Sequence, residues 1–516
     1  MPEAGGDRRT TLESLRAVLA SWRLLSVALL SFASGLPLGL VWIAIPTWMA
    51  TVGVDIKVIG LFTLAQAPWT FKVLWAPLMD RFPLPVLGRK RGYILATQAL
   101  LLLLGLWLAA ASGRPDAVRI GIITLAIAFA SATQDVAYDA YTVEVLRREE
   151  QGPAVGARVA MYRAAMWLSG RLTITAAGWV GWPIVNAITA LVYVPATLVT
   201  WRAPEPESVP EPPRTLRAAV FEPFLGLLAQ HRALEILAFV VLFKLSDLVT
   251  QSLIGPFLVQ KGYDAVDVGV AAGTVSLFTI VGGTFLGGIL TQTRGLGPAL
   301  WISGFLQLFS NLGYAVVAQI GVNRPVMYAA QGFEYLCSGL GNGAFGVLLL
   351  RLTQKRFSAT QYALLSSLFS IPRVVAGPPA GLLADALGWR DFYVSTLAMG
   401  VPGLLMLQRF VPWGVREPEF GVAEPATGPR LAPRAILARA SVVFVAFVLL
   451  AAGSLAFVSA IKDFRAGRGF DALPALLALA RPVSLGDWVS SAGVVAAAAV
   501  AALGTAAALA VRRRPE

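Results

Sequence analysis

The feature that most constrains this chain is a recurrence. Apolar stretches of about 20 residues return about fourteen times, each long enough to cross the ~30 Å hydrocarbon core of a bilayer as an α-helix. Hydrophobic residues make up 57% of the 516 positions and charged residues only 14%, so packing as a water-soluble globule is excluded. Inside lipid a backbone must satisfy its own hydrogen bonds, and runs of this length do so as helices. The expected fold class is an all-α integral membrane protein.

The runs group as six, a linker, six and a final pair. The first six lie at roughly 24–49, 58–79, 92–111, 120–141, 159–180 and 183–201. The first is too long for a signal-peptide core, has no cleavage site behind it and is read as a retained span. From Ala203 to Arg214 the chain turns proline-rich and charged, which neither lipid nor a helix tolerates, and a surface helix to about His231 follows. Six more runs lie at roughly 236–259, 268–290, 298–320, 325–350, 362–384 and 392–410, and the last pair at 435–460 and 490–511. The domains expected are a six-helix bundle at 24–201, a linker with an amphipathic helix at 202–234, a second six-helix bundle at 235–411, and an accessory pair at 435–511.

Charge sets the orientation. With both ends of the twelve-helix block in the cytoplasm, its inner segments hold nineteen Lys and Arg between Arg8 and Arg356, Arg158 among them. The outer loops hold six, Lys57, Arg114, Arg119, Lys261, Arg324 and Arg390. The same distribution explains the net charge of +13 without a nucleic-acid partner, because the arginines sit in short loops and not on one amphipathic face. One cysteine, Cys337, and one histidine, His231, leave no disulfide framework and no zinc or haem site, and neither a cofactor nor a catalytic residue is expected. Glycine clusters such as Gly282, Gly283, Gly287 and Gly288 follow no strand and read as close helix packing. Two matched halves joined by a polar linker suit a rocking transporter with a site between its halves.

Between the second and third spans stand Asp80, Arg81 and Phe82, then five residues from Pro83 to Leu87, then Gly88, Arg89, Lys90 and Arg91. This loop resembles the DRxGRR signature of the major facilitator superfamily, with the five residues as an insertion. An acid at a helix end can bind basic groups and a neighbouring helix terminus, so Asp80, Arg81, Gly88, Arg89 and Arg91 are the candidate conformational latch. Longer strings narrow the resemblance: Ser31 to Pro37, Phe71 to Arg81, Ser131 to Ala140, Phe243 to Asp247 and Phe357 to Gln361. In this order, over about residues 24 to 411, they are similar to the AmpG-type muropeptide permeases. That resemblance implies proton-driven uptake of anhydromuropeptides, GlcNAc-anhydroMurNAc peptides, from periplasm to cytoplasm for peptidoglycan recycling. It places the protein in the bacterial inner membrane. Acetyl-coenzyme A transporters share part of the pattern, so another anionic solute, or export, stays open.

Ionisable residues at membrane depth are costly and must face a cavity, a partner or an end. Asp135 and Asp139 are four apart on the fourth span, with Gln134 and Tyr138 beside them. Two carboxylates that close repel, so one is a natural proton carrier, and Asp247 and Glu334 join them as proton-coupling candidates. A structural alternative has Asp139 capping a helix end and Asp135 paired with Arg163 or Lys72. Lys244 and Asp247, three apart, are placed to pair with each other. Lys72, Gln134, Tyr138, Arg163, Lys244 and Arg373 are candidate substrate-binding residues, because a chamber with both signs of charge suits a ligand carrying carboxylates and an amine. Trp42 and Trp69 are candidates to stack on sugar rings, with interfacial anchoring as the alternative. Arg171 in the fifth span receives no role. The protein is expected to act as a monomer in the lipid bilayer with substrate and protons as its partners. A membrane enzyme or lipid-handling scaffold built on the last two helices is the competing class, and no catalytic constellation supports it.

Overall fold

The computed structural model describes residues 21–54, 62–82, 84, 88–207, 211–228, 233–375, 377–420, 432–465, 469–483 and scattered positions between 491 and 509. Among the described residues nine helical stretches are long and apolar enough to cross a membrane. In chain order these are α1 (Trp22–Thr51), α4 (Arg91–Ala111), α5 (Ala117–Val145), α8 (Trp182–Arg202), α10 (Glu235–Gln260), α11 (Val266–Arg294), α12 (Leu296–Gln319), α13 (Arg324–Leu352) and a stretch, Arg434–Ser454, within α16 (Pro433–Arg465). The remaining segments are α2 (Ala67–Phe71), α3 (Ala76–Arg81), α6 (Gln151–Trp167), α7 (Thr173–Val180), α9 (Leu216–Leu228), α14 (Ser358–Val375), α15 (Gly377–Phe410) and α17 (Leu473–Ala480).

Local chemistry sets the ends and breaks. The Ser21 hydroxyl caps α1 and the Asp116 carboxylate caps α5, accepting from the Arg119 amide at 2.8 Å. Pro68 and Pro77 stand in the first turns of α2 and α3, where a missing N–H costs nothing, and a 3₁₀ turn, Lys72–Leu74, separates the two. The second span is therefore a broken rod where the sequence reads as one helix, and residues 58–61 of it lie outside the described residues. α6 begins at Gln151 and not at Val159, because Gly152, Pro153, Ala154 and Gly156 are small enough to be buried in packing. Three π-helical turns, Leu40–Ala44 in α1, Leu168–Leu172 between α6 and α7, and Ala271–Val275 in α11, have no signature in the hydrophobic pattern. Gly388, with φ of 72°, breaks α15 where the sequence expects one span to end before the next. The linker helix appears as α9, while His231 lies outside the described residues. The last expected span is described only at scattered helical positions.

The chain packs as two compact units. One comprises Met1–Pro223, Leu277–Ser303 and Tyr335–Ser367. Its core joins Leu36, Val41, Trp48, Leu101, Ile123 and Ile127, with Trp48 stacked on Trp182 at 4.9 Å. α5 runs through it, and every residue from Gln134 to Leu146 is buried. The start of the linker is strapped down: Trp22 donates to the Arg202 carbonyl at 2.8 Å, Tyr141 to that of Pro204 at 2.9 Å, and Arg91 pairs with Glu205. Hydrogen bonds from Arg147 and Arg23 hold the Glu207 carboxyl below its ordinary range. The other unit comprises Phe224–Ser276, Gly304–Glu334 and Leu368–Glu516. Tyr314 stacks on Tyr393 at 5.2 Å and Phe257 meets Tyr393 edge-on at 5.0 Å, while α16 lies against α15.

Within the first unit α11 and α13 approach backbone to backbone. A Cβ added to Gly287 would stand 2.1 Å from the Leu340 carbonyl oxygen, whereas one added to Gly282 meets nothing within 4 Å. Gly287→Ala is therefore expected to destabilise the purified protein by about 1–3 kcal/mol, read as a lowered thermal midpoint in detergent, with Gly282→Ala close to wild type. Equal midpoints for the two variants would contradict this packing.

Candidate functional site

The first unit carries two buried charge clusters. In the one nearer the helix ends, Asp80 sits in the last turn of α3 with no solvent exposure. Lys90 Nζ lies 2.6 Å from its Oδ1 and Arg89 Nη2 3.4 Å away. Both oxygens also accept from the first turn of α14: the amides of Ala359 at 3.2 Å and Thr360 at 2.8 Å, and the Thr360 hydroxyl at 2.7 Å. A carboxylate against unpaired N–H groups at a helix N-terminus is favoured by hydrogen bonding and by the helix dipole together. Glu144, near the end of α5, accepts from the Ser358 hydroxyl at 2.5 Å and lies 3.9 Å from Arg89. Arg89 also donates to the Arg356 carbonyl at 3.0 Å.

The expected latch residues divide. Asp80 and Arg89 meet at α14. Arg91 turns instead to the linker, donating to the Trp201 and Ala203 carbonyls and pairing with Glu205. Arg81 lies over the Phe82 ring, 5.1 Å from its centroid, away from this cluster. Gly88 adopts φ of +78°, a turn conformation that side chains disfavour, with Glu205 close above it. Lys90, Glu144, Ser358 and Thr360 complete the cluster, and sequence spacing does not single them out, since they converge from three separate segments.

Deeper in the same unit, Asp139 lies between two cations. Lys72 Nζ is 3.2 Å from its Oδ2 and Arg158 pairs with its Oδ1. Arg158 also donates to the Tyr362 hydroxyl at 3.2 Å, and its guanidinium lies over the rings of Tyr138, at 5.1 Å, and Tyr362, at 5.5 Å. Asp139 does not cap a helix end, because α5 continues past it to Val145. Asp135, one turn away, accepts from the Ser34 hydroxyl, so neither Lys72 nor Arg163 forms an ion pair with it. Arg163 is half-buried and stands outside this ion-pair network, whereas Arg158, which the sequence reads as a loop charge, is its centre. Tyr138 donates to the Val27 carbonyl at 2.9 Å.

Other polar groups in this unit have no partner among the described residues. Both amide atoms of Gln134 are buried and unbonded, as are the Ser131 hydroxyl and the indole N–H groups of Trp42 and Trp69. Those two tryptophans meet edge-on at 6.0 Å. A buried polar group without a bond is costly, so such atoms mark places where water or a ligand completes the bonding.

The second unit has its own set. α10 is interrupted at Phe243 and Lys244, and Lys244 Nζ lies 2.9 Å from Asp247 Oδ2, the pairing expected from the three-residue spacing. Lys244 also donates to Gln307 of α12. Glu334 is fully buried in α13; its Oε1 accepts from Gln251 at 2.9 Å, and its Oε2 has no partner among the described residues. Gln251 lies 83 positions away in sequence, out of reach of any spacing rule. Arg373 falls in α14 among residues whose side chains lie outside the described ones. Among the described residues no group of three or more His, Cys, Asp or Glu is placed to hold a metal ion. Chemically, the arrangement offers titratable acids, cations, and open donors and acceptors at membrane depth.

Residues 27–370 match the family model of the Major Facilitator Superfamily. The chain is 41% identical over 381 residues to the anhydromuropeptide permease of Escherichia coli (strain K12), an alignment covering 73% of this chain and 78% of that one. It is 28% identical over 400 residues to a putative transporter AmpG 4 of Rickettsia felis, covering 76% of this chain and 97% of the relative. Among solved structures its fold is similar to that of the proton:xylose symporter XylE bound to 6-bromo-6-deoxy-D-glucose, with a TM-score of 0.58, 12% identity, and coverage of 76% of this chain and 96% of that one. It is also similar to the human organic anion transporter MFSD10, with a TM-score of 0.55, 16% identity, and coverage of 77% and 99%. A multi-pass helical chain with these relatives and this family match belongs to the major facilitator superfamily, in its AmpG-type muropeptide permease family.

Proposed function

We propose that this protein imports anhydromuropeptides across the bacterial inner membrane by alternating access, driven by protons. The observation that carries the substrate is the 41% identity to the Escherichia coli permease over most of both chains. Support for coupling comes from the four buried carboxylates, Asp135, Asp139, Asp247 and Glu334, which act as the proton carriers in this reading. Gln134, Trp42 and Trp69 receive the sugar, since their polar atoms are open. Lys72, Tyr138, Arg163, Lys244 and Arg373 contribute the remaining contacts as the charge pairs rearrange.

The halves at 24–201 and 235–411 move as bodies, with 435–511 accessory to them. The excess of Lys and Arg on the Asp80 side supports cytoplasmic N- and C-termini. Asp80, Arg89 and Lys90 hold α14 and so close that side, with Gly88 shaping the turn and Arg91 anchoring the linker. Protonation of Asp139 removes the charge that both Lys72 and Arg158 neutralise, freeing Arg158 and, through it, Tyr362 of α14. The transporter works as a monomer in the bilayer.

In proteoliposomes, radiolabelled anhydromuropeptide uptake should rise at least tenfold under an inwardly directed proton gradient, on the scale of typical coupling energies. Glu334→Gln keeps the shape and the Gln251 contact, and its uptake should respond to the gradient far less. Wild-type uptake indifferent to the gradient would refute coupling, and failure to take up the muropeptide at all would refute the substrate. Thr360→Val removes one hydroxyl contact to Asp80 and no charge, so it should shift the open-to-closed ratio about fivefold, as expected for a loss of ~1 kcal/mol. Spin-label distances between α3 and α14 read that ratio, and an unchanged distribution would show that Asp80 does not act as a latch.

A further inference from the structure

Arg171 poses a problem that the buried clusters leave unsolved. It lies nine residues before Val180, the end of α7, or ~14 Å along the helix, which is near the middle of a ~30 Å hydrocarbon layer. It is nevertheless exposed, and no ion pair joins it to any described residue. An arginine held at that depth against lipid is strongly disfavoured, so its face must be wet or ligand-bound.

The helix shows which face this is. Near its start, Gly152 packs on Gly288 of α11, and Gly156 on Phe285. Arg163 follows Gly156 by seven residues, two turns on, and therefore continues the same face. A different face seats on α1, where Ser169 and Gly170 meet Gly39 and Gly170 also meets Ile43. In an unbroken α-helix eight steps from Arg163 would leave Arg171 roughly 80° round the axis, toward the outer side. The π-helical turn Leu168–Leu172 advances less per residue and brings that offset to roughly 30°. Arg171 thus returns to the face of Arg163, with Trp167 between them at 42% exposure. The two arginines share an open face, while the acids nearest in the same unit are already engaged, Asp139 by Lys72 and Arg158, and Asp135 by Ser34.

We propose that Arg163, Trp167 and Arg171 form a basic track that receives the peptide carboxylates of the transported ligand, with the π-helical turn present to aim Arg171 along it. This rests on the transport reading above and adds to it the half of the ligand that the track recognises. Guanidinium groups bind carboxylates bidentately, and a flat indole between them offers an apolar surface to the intervening chain.

The test measures equilibrium binding of two probes to the purified full-length protein: an anhydromuropeptide with a free tripeptide, and the same compound with its peptide carboxylates amidated. Wild type should bind the free-acid probe about tenfold more tightly, the scale of one lost charge-assisted contact. Arg171→Gln should bind the free-acid probe about tenfold more weakly than wild type does, yet keep wild-type affinity for the amidated probe. Arg171→Lys should retain part of the preference, and Arg163→Gln should behave as Arg171→Gln does. If Arg171→Gln still prefers the free acid, or loses both probes equally, the track is refuted while the transport reading stands. If wild type binds neither probe, the transport reading fails and the track falls with it.

Discussion

Charge buried away from water must be neutralised inside the fold, and that constraint organises this protein. Asp80, Asp139 and Asp247 each have a cation in contact, and the first two draw theirs from other segments of the chain. The cost of separating such a pair in a low-dielectric interior is what ties α3 to the loop before α4, and α5 to α6 and to the 3₁₀ turn between α2 and α3, while hydrogen bonds join Asp80 to α14. In the proposed mechanism the same cost makes each pair a switch. Remove one charge, by a proton or by a ligand that competes for the partner, and the contact loses its reason to persist.

Satisfied and unsatisfied groups divide the labour. The Asp80 cluster is saturated, with two cations, two backbone amides and a hydroxyl on one carboxylate, which fits the proposed latch. Around Trp42, Trp69 and Gln134 the reverse holds: the donors and acceptors are buried and open. Glu334 stands between these cases, with one oxygen bonded and one free among the described residues. A carboxyl in that state accommodates a proton with little rearrangement, whereas Asp80 would have to surrender a helix terminus.

The sequence reveals whatever depends on near neighbours. Apolar runs of membrane length, the proline-rich linker and the Lys244–Asp247 pair all follow from spacings of a few residues or from window composition. It does not reveal what depends on three helices meeting. Arg158 and Arg163 lie five residues apart and look interchangeable, yet only Arg158 faces Asp139, because five steps turn the helix by well over a right angle. The basic residues of the 88–91 loop look like one patch, but Arg89 and Lys90 turn to Asp80 while Arg91 turns to Glu205. The breaks in the second span and the π-helical turns are equally silent in the hydrophobic pattern, since the breaks pack against α5 and the turns at Leu40–Ala44 and Leu168–Leu172 pack against each other. In the proposed reading they matter to function because they aim Lys72 and Arg171.

The central claim is that the buried carboxylates take up the protons that accompany ligand binding. The most direct measurement is the proton count of binding: purified protein in weakly buffered solution, titrated with saturating anhydromuropeptide near neutral pH, with the pH change recorded. The account predicts net proton uptake by wild type that is abolished when Asp139→Asn and Glu334→Gln are combined. Binding without proton exchange in wild type, or the same uptake in the combined variant, would contradict it.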